Sequence, residues 1–453
     1  MTKEERREKI LNEPVLPLLV RMAIPTIIGM LVTTIYSLTD TFFIGLMGSK
    51  SMTAAIGIVF SFVSFIQALG FWFGYGSGNA MSRKLGEKDN REAEILSSTG
   101  IGLSLILGIS IMVVLLFYVR PLAAFLGGDA SEDLLLFSTA YLRIILISVP
   151  FSLYGTTLYN QLRLCGNAKD GMVGLLAGML GNMILDPIFI FAFKMGFTGA
   201  AWATLTGQIL GCIILTLLSY RNGNIPATLR HFNLSGGRLY HVLVGGLPNF
   251  SRQGITSVAA ILLNMVAASY GEETIAALTV TGRVAALAYM VVIGWGQGFQ
   301  PVCAMNFGAG KFYRVKKALK ISITAGTIFL LFATVLLAIF ARPVCSLLTK
   351  NAEVLTPSVT ILRLQCISLP LMGIYALSSM FTQNIGKYYW ALVISIARQG
   401  IFYIPLLFIL PPVAGILGLT DIFGLYCVQP AADICATILG AVIMRRNLVS
   451  LRE

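Results

Sequence analysis

Three carboxylates, Asp40, Asp186 and Asp433, stand inside long apolar stretches of the sequence. A charged group near the centre of a helix in hydrocarbon costs roughly 2.5–3.5 kcal/mol on insertion scales. Carboxylates kept at such a cost usually face a cavity, where they bind a cation or a proton. The alternative is a structural cap or hydrogen-bond anchor, which we favour for Asp433 because it follows Gln429 and Pro430 closely. Asp40 and Asp186 are therefore the candidates for chemistry.

The residues before Asp40 predict a polar strip along one helix. Tyr36 lies one turn before Asp40, and Thr33 falls on the same stripe of the helix. Pro25 is expected to bend this helix because proline removes a backbone donor and clashes with the preceding turn. The pattern predicts a helix that can change shape at Pro25, which is our candidate hinge.

Asp186 has a comparable setting in the segment GNMILDP. Asn182 lies four residues before Asp186, on the same helix face. Pro187 directly follows Asp186 and should disturb the backbone hydrogen bonds of the helix. Carbonyl groups freed there are candidate ligands for a small cation such as Na+. Leu263 and Ile404, near the matching positions of the second half of the chain, are apolar, so we expect the acidic chemistry to lie in the N-terminal half.

The elements that position these residues are predicted to be membrane helices. Of 453 residues, 56% are hydrophobic and 12% are charged, whereas soluble domains are about a quarter charged. The apolar runs reach the about 20 residues that a helix needs to cross hydrocarbon. We predict an all-α integral membrane protein with twelve transmembrane helices, at 15–46, 53–82, 95–119, 134–162, 171–193, 197–220, 242–270, 273–306, 321–341, 356–385, 389–410 and 422–444.

The net charge of +13 is distributed as a topology signal. With the N-terminus inside, most Lys and Arg residues between the spans fall on the inner side, as the positive-inside rule requires. We therefore expect a multi-pass protein of the bacterial inner (plasma) membrane with both termini in the cytoplasm. The basic excess points to contact with membrane lipids and not to nucleic acid. The first apolar stretch is too long for a cleavable signal peptide.

The chain repeats itself. Residues 120–130 resemble 342–352, residues 142–150 resemble 362–370, and Ala-Ile-Pro at 23–25 resembles Gly-Leu-Pro at 246–248, all at nearly one offset. Six spans in each copy give both copies the same orientation, so they should be related by a pseudo-twofold axis along the membrane normal. The predicted parts are an N-terminal lobe at 1–220, a polar cytoplasmic linker at 221–240 and a C-terminal lobe at 241–453.

Several segments resemble the multidrug and toxic compound extrusion (MATE) family, in its bacterial branch with the DinF- and MepA-like proteins. They are AIPTIIGMLVTTIYSLTDTFFIG, SRKLGEKD, NQLRLCGNAK, GNMILDPIFI, GFTGAAWAT and QPAADI, which together cover essentially the whole chain. The resemblance implies a two-lobed antiporter that exchanges Na+ or H+ for drugs. The family belongs to a larger group that includes flippases of lipid-linked oligosaccharides.

The resemblance also implies a cation- or proton-coupling site at Tyr36, Asp40, Tyr141, Asn182, Asp186 and Thr204, with Na+ possible at Asp40, Asn182 and Asp186. Further residues expected to line the substrate site are Thr33, Ser37, Asn160 and Met179. One departure is that the segment GLPNFSRQGITS offers Arg252 where another branch carries an acidic residue in its seventh span. That departure counts against a coupling site in the second lobe.

These features predict a secondary active exporter that works by alternating access, with no cofactor besides the coupling ion and no enzymatic activity. We expect it to act as a monomer on lipophilic or cationic organic compounds. A flippase of lipid-linked precursors is the first alternative, although it usually needs a cationic cavity. An intramembrane aspartyl enzyme is a remote one, since no GxGD motif accompanies the aspartates of the spans. The sequence leaves open the physiological substrate, the choice of ion, the oligomeric state and the role of Asp433. Arg252, Arg283 and Arg398 could pair with backbone carbonyls, with lipid phosphates or with Asp433, and the sequence does not decide between these partners.

Overall fold

The computed structural model describes residues 2–45 and 49–451, with the backbone alone for residues 34–45 and 50, and these residues form helices joined by short loops. The helices are α1 (Lys3–Asn12), α2 (Val15–Gly45), α3 (Lys50–Gly86), α4 (Asn90–Phe117), α5 (Val119–Phe125), α6 (Glu132–Leu164), α7 (Ala168–Pro187), α8 (Phe197–Ser219), α9 (Gly236–Ala268), α10 (Glu272–Gly308), α11 (Phe312–Ile339), α12 (Ala341–Ser346), α13 (Ala352–Ser368), α14 (Met372–Asn384), α15 (Tyr388–Ile396), α16 (Ile404–Ile416) and α17 (Asp421–Ser450).

Within the described part of the chain, 11 helical segments are long and apolar enough to cross a membrane. The predicted span 242–270 falls on α9, which has 33 residues but is less apolar than the others. Asn249, Arg252 and Gln253 in the middle of α9 account for its lower hydropathy. Each of the other predicted spans also coincides with a long helix, or with two helices joined by a short 3₁₀ or π turn. The sequence therefore placed the spans correctly.

Two π-helical turns interrupt long helices, one in each half of the chain. Residues Ile188–Ala192 form such a turn directly after Pro187, which confirms that the hydrogen-bond ladder of α7 is disturbed there. The second turn, Ala397–Tyr403, joins α15 to α16. Widened turns of this kind occur frequently at functional sites. The first follows Asp186 and the second contains Arg398, so each turn adjoins an ionisable group within a span.

The chain divides into two compact units, which we call the first unit (Met1–Glu13 with Ile28–Phe250) and the second unit (Pro14–Ile27 with Ser251–Glu453). Helix α2 thus begins in the second unit and continues into the first, while α9 begins in the first and continues into the second. Pro25 and Pro248 are a matched pair of the sequence repeat. Each lies just before the position where its helix passes from one unit to the other. The predicted lobe limits at 220 and 241 describe the sequence repeat and stay a prediction. The compact units are a separate division of the chain, made by contacts.

In the first unit, two glycines let the start of α9 pack directly on α3. A Cβ on Gly246 would lie 1.8 Å from the carbonyl oxygen of Trp72, and one on Gly76 would lie 1.9 Å from that of Val242. The indole Nε1 of Trp72 donates a hydrogen bond of 2.7 Å to the carbonyl of Leu243. The crossing therefore depends on the absence of side chains at both glycines.

In the second unit, the start of α2 packs on α10 in a similar way. The hydroxyl of Thr26 donates a hydrogen bond of 2.7 Å to the carbonyl of Gly294. A Cβ on Gly294 would lie 2.8 Å from the Cα of Ile27, and one on Gly298 would lie 2.6 Å from the Cα of Ala23. Each unit is therefore completed by the first part of a helix whose remainder belongs to the other unit.

Candidate functional site

Helix α7 carries a buried carboxylate and a buried amide one turn apart. Asp186 and Asn182 are both buried, and the Nδ2 of Asn182 donates to the Oδ1 of Asp186 at 3.5 Å. The same Nδ2 lies 3.4 Å from the hydroxyl Oγ1 of Thr204, which stands on α8. The structure thus brings together three of the predicted coupling residues, on two helices of the first unit.

The close crossing of α7 and α8 places these groups side by side. A Cβ on Gly207 of α8 would lie 2.8 Å both from the Cβ of Asn182 and from the carbonyl oxygen of Gly178, and a Cβ on Gly178 would lie 3.2 Å from the Cα of Gly211. Small residues at a crossing let helix backbones approach closely within a membrane. Asn182 can reach Thr204 because Gly207 has no side chain.

Substitution of Gly207 by Ala should therefore damage the site. The added methyl group must push α8 away from Asn182 and Gly178, at the about 1–3 kcal/mol typical of overpacking. We expect ion-driven transport by the purified variant in proteoliposomes to fall several-fold. Gly57→Ala is the matched control, because a Cβ at Gly57 meets nothing within 4 Å. Equal transport by the two variants would contradict this account of the crossing.

The chemical nature of the cluster fits a small hard cation or a proton. The Oδ1 of Asn182 is buried and has no hydrogen-bond partner among the residues that the structure describes. That oxygen, the carboxylate of Asp186 and the hydroxyl of Thr204 are the oxygen ligands that hard cations prefer. In the described chain, no group of three or more His, Cys, Asp or Glu side chains could hold a metal ion. The oxygen ligands of Asp186, Asn182 and Thr204 suit Na+ or a proton better than a transition metal.

Tyr141 is a buried residue of α6 in the same unit. Its ring centroid lies 5.0 Å from that of Phe197 at the start of α8, the helix that carries Thr204. The side chains of Tyr36, Ser37 and Asp40 lie outside the described residues, and only their helical backbone in α2 is given. Their places in the coupling and substrate sites stay predictions.

Pro25 lies inside α2, whose helical structure continues on both sides of it. The turn after Pro25 is held by the hydroxyl of Thr26, which also donates to the carbonyl of Ala23 at 2.8 Å. A side-chain bond of this kind to the preceding turn often accompanies a bend in a helix. The hinge role of Pro25 stays a prediction.

The predicted substrate residues fall into two settings. Thr33 donates to the carbonyl of Gly29 at 2.7 Å, and its hydroxyl lies 3.8 Å from the sulfur of Met179. Both side chains are partly exposed, as a substrate contact requires. Asn160 is fully buried instead, with its amide bonded to the carbonyl of Thr156 at 2.8 Å and its oxygen accepting from Arg163 at 3.0 Å. Asn160 would have to exchange these partners before it could bind a substrate.

The second unit holds a polar cluster that the sequence left unresolved. Arg398 forms an ion pair of 2.7 Å with the buried carboxylate of Asp433, which was one of the three kinds of partner that the sequence left open. Gln429 and Ser368 donate to the same carboxylate at 2.7 and 3.0 Å. The signal in the sequence was that both ionisable residues lie within apolar spans. The anchoring role favoured for Asp433 agrees with these contacts.

Many apolar helices and a buried acid–amide cluster in the first unit define a multi-pass membrane transporter. The model of the MatE family matches residues 25–188 and 250–409, so the chain belongs to this family. The family resemblance found in the sequence is confirmed.

Individual relatives and structures agree with this assignment. The multidrug export protein MepA of Staphylococcus saprophyticus is 29% identical over 421 residues, which cover 92% of this chain and 91% of that protein. A crystal structure of MATE in the bent conformation is similar over 99% of this chain and 98% of its own, with 25% identity and a TM-score of 0.90. A transporter of the MOP superfamily from Pyrococcus furiosus, reported to have a binding pocket of reverse polarity, has 25% identity over 98% of both chains and a TM-score of 0.89. These likenesses confirm the predicted fold class.

Proposed function

We propose that the protein is a multidrug exporter that exchanges lipophilic or cationic organic compounds for Na+ or H+. The observation that carries this proposal is the buried cluster of Asp186, Asn182 and Thr204. A carboxylate is kept at such depth where it binds a cation or a proton. The name of the staphylococcal relatives, multidrug export protein, supports the substrate class.

The mechanism that we propose is competition for the acidic site. When the site is open to the inside, the deprotonated carboxylates of Asp186 and Asp40 favour an organic cation. When it is open to the outside, Na+ or H+ occupies them, α2 changes shape at Pro25, and the organic cation is released. A bent form of a similar transporter supports a helix change of this kind. Each occupant must bind the two orientations with different affinity for the exchange to proceed.

The ion gradients of a bacterial membrane are large enough to drive this exchange. One elementary charge crossing 100 mV provides about 2.3 kcal/mol. Each unit of pH difference adds about 1.4 kcal/mol for a proton. Their sum supports a concentration ratio of several hundredfold for an uncharged compound exchanged one for one, because about 1.4 kcal/mol corresponds to a factor of ten. For an organic cation exchanged one for one the two charges cancel, so the pH difference alone drives the exchange, at about tenfold per pH unit.

A basic cavity in the second unit supports the proposed orientation. It has a volume of about 890 Å³ and lies between the beginning of α11 and the end of α17, where Lys316, Lys320 and Arg445 share it with apolar side chains. Three cations at the polar ends of membrane helices favour a cytoplasmic position near anionic lipid headgroups. We propose that both termini face the cytoplasm, and that the transporter works in the plasma membrane as a monomer.

Transport with one gradient at a time tests the function. The purified protein is reconstituted in liposomes with a fluorescent organic cation, and a Na+ gradient or a pH gradient is imposed separately. We expect one of the two gradients to drive uphill movement of the dye, and a protonophore to abolish the movement if the ion is H+. Transport that neither gradient drives would contradict the proposal.

A flippase of lipid-linked precursors is the second candidate. Arg398 and Arg252 give the second unit cationic side chains in the middle of its helices, which a pyrophosphate group would favour. The similar Pyrococcus transporter with a pocket of reverse polarity shows that pocket charge differs among related folds. Translocation of a fluorescent polyprenyl pyrophosphate in the same liposomes, without dye transport, would favour this candidate.

A further inference from the structure

The ion pair of the second unit lies at the depth where transporters bind their substrates. Arg398 and Asp433 are in the middle thirds of the spans Tyr388–Ile416 and Asp421–Ser450. Ser368 and Tyr289, which contact the pair, are also in the middle thirds of their spans. Substrate sites of secondary transporters lie near the bilayer midplane. A structural ion pair does not require this depth, and in hydrocarbon it is costly there.

Three side chains donate hydrogen bonds to the carboxylate of Asp433. Its Oδ1 accepts from the Nε of Arg398 and the Nε2 of Gln429, both at 2.7 Å, and its Oδ2 accepts from the hydroxyl of Ser368 at 3.0 Å. These donors hold the carboxylate in one orientation. The carboxylate in turn fixes the position of the guanidinium group of Arg398.

Within the described part of the chain, the guanidinium group of Arg398 uses only its Nε in a hydrogen bond. Arg398 bonds Asp433 through Nε, and its two terminal nitrogens have no hydrogen-bond acceptor among the residues that the structure describes. Its side chain is 22% exposed, and its Cζ atom lies 5.3 Å from the ring centroid of Tyr289. An arginine at mid-span faces water or protein because exposure to lipid is too costly. The two terminal nitrogens are therefore available to an acceptor that a bound ligand supplies.

The surrounding charges favour an anion. Arg252 and Arg398 both lie close enough to Tyr289 to interact with it electrostatically, and Asp433 is the acidic side chain that interacts with the same ring. Two cations and one carboxylate leave one positive charge without a counterpart among these groups. A planar fork of N–H donors matches an oxyanion in geometry as well as in charge.

We propose that Arg398 binds the oxyanion group of a transported amphiphile, and that Asp433 is the positioning residue that aims it. The ligand chemistry is a carboxylate or sulfonate on an aromatic organic molecule, with the Tyr289 ring beside it. The same chemistry occurs in the phosphate of a lipid-linked precursor, which the experiment below distinguishes. The inference rests on the proposed export function and assigns the side chain that would hold the anionic group of such a substrate.

A pair of dyes that differ in one group tests the proposal. Rhodamine B carries a free carboxylate, and its ethyl ester does not. In proteoliposomes driven by the ion gradient that the wild type uses, we expect Arg398→Gln to raise the ratio of KM for rhodamine B to KM for the ester about tenfold, the loss typical of one charge-assisted hydrogen bond. An unchanged ratio would overturn the proposal.

Further variants separate binding from folding. Arg398→Gln alone leaves the buried Asp433 without its cation and can destabilise the protein, whereas Arg398→Gln combined with Asp433→Asn removes both charges together. The double variant should show the same tenfold rise. Arg283→Gln, at an exposed arginine of the same unit, is the matched control and should keep the wild-type ratio.

Asp433 is tested as the positioning residue. Asp433→Asn should raise the same KM ratio because the guanidinium group loses its fixed orientation, and Asp433→Glu should restore part of it. A purely structural role would lower the transport of both dyes equally, which would also overturn the proposal. Gradient-driven transport of neither dye by the wild type would instead refute the export function. Wild-type translocation of a fluorescent polyprenyl phosphate that Arg398→Gln abolishes, with the dye ratio unchanged, would overturn the drug assignment in favour of a lipid.

Discussion

Replacement of Asp186 by Asn is expected to abolish the ion-driven export of organic cations. Asn keeps the volume and can still bond Asn182, but it removes the negative charge to which we assign the binding of the coupling ion and the organic cation in turn. A hydrogen bond to a charged group contributes about 1.5–3 kcal/mol, so the affinity for the ion should fall at least tenfold. The measurement is dye transport in proteoliposomes at a fixed ion gradient, together with the amount of folded protein recovered.

Two further variants complete this test. Asp40→Asn should have the same effect if Asp40 belongs to the coupling site, as the sequence predicts. Asp129→Asn removes an exposed carboxylate of the short turn Gly128–Ala130 and should transport like the wild type. Full exchange by the Asp186 and Asp40 variants would refute the site assignment. Loss in all three would show that overall charge, and not the buried site, controls the rate.

Replacement of Gly246 by Ala is expected to destabilise the first unit strongly. The new methyl group would stand 1.8 Å from the carbonyl oxygen of Trp72, and backbone atoms cannot move aside as the end of a side chain can. The separation of α9 from α3 would also break the bond of Trp72 to Leu243 and the stacking of its ring on Phe250 at 4.7 Å. We expect at least the about 1–3 kcal/mol of overpacking, and a lower thermal unfolding temperature in detergent.

The control for this variant lies in the same helix. A Cβ on Gly254 meets nothing within 4 Å, so Gly254→Ala adds a methyl group to open space. Because Ala is the better helix former by about 1 kcal/mol, Gly254→Ala should keep or raise the unfolding temperature. Equal unfolding temperatures for the two variants would show that the α3–α9 crossing is not as close as the structure has it.

Features that lie within a single helix could be predicted from the sequence. Asp186 and Asn182 are one turn apart, so their meeting follows from helical geometry, and the disturbance after Pro187 follows from the chemistry of proline. Spans could be predicted because the apolar runs have the length that hydrocarbon requires. The twelfth such segment, α9, is the one in which polar residues weaken that signal.

Contacts between side chains on two different helices could not be predicted in the same way. The contact of Asn182 with Thr204 requires the crossing at Gly207, and helix rotation decides that Arg398 meets Asp433. Thr204 was predicted only from the family resemblance. Asp433 was one of several possible partners for Arg398, and no sequence pattern decided between them. The division of α2 and α9 between the units was also missed, because hydropathy does not tell which neighbours a helix segment will have.

The reciprocal arrangement of α2 and α9 has a consequence for the origin of the protein. Residues 14–27 complete the second unit, and residues 236–250 belong to the first, so each repeat lends the opening stretch of its first helix to the other. This is the pattern of a domain-swapped dimer fused into one polypeptide. An ancestral half-length chain would have needed a second copy to finish its own fold, and gene fusion would then have preserved an exchange that had already been made between two molecules.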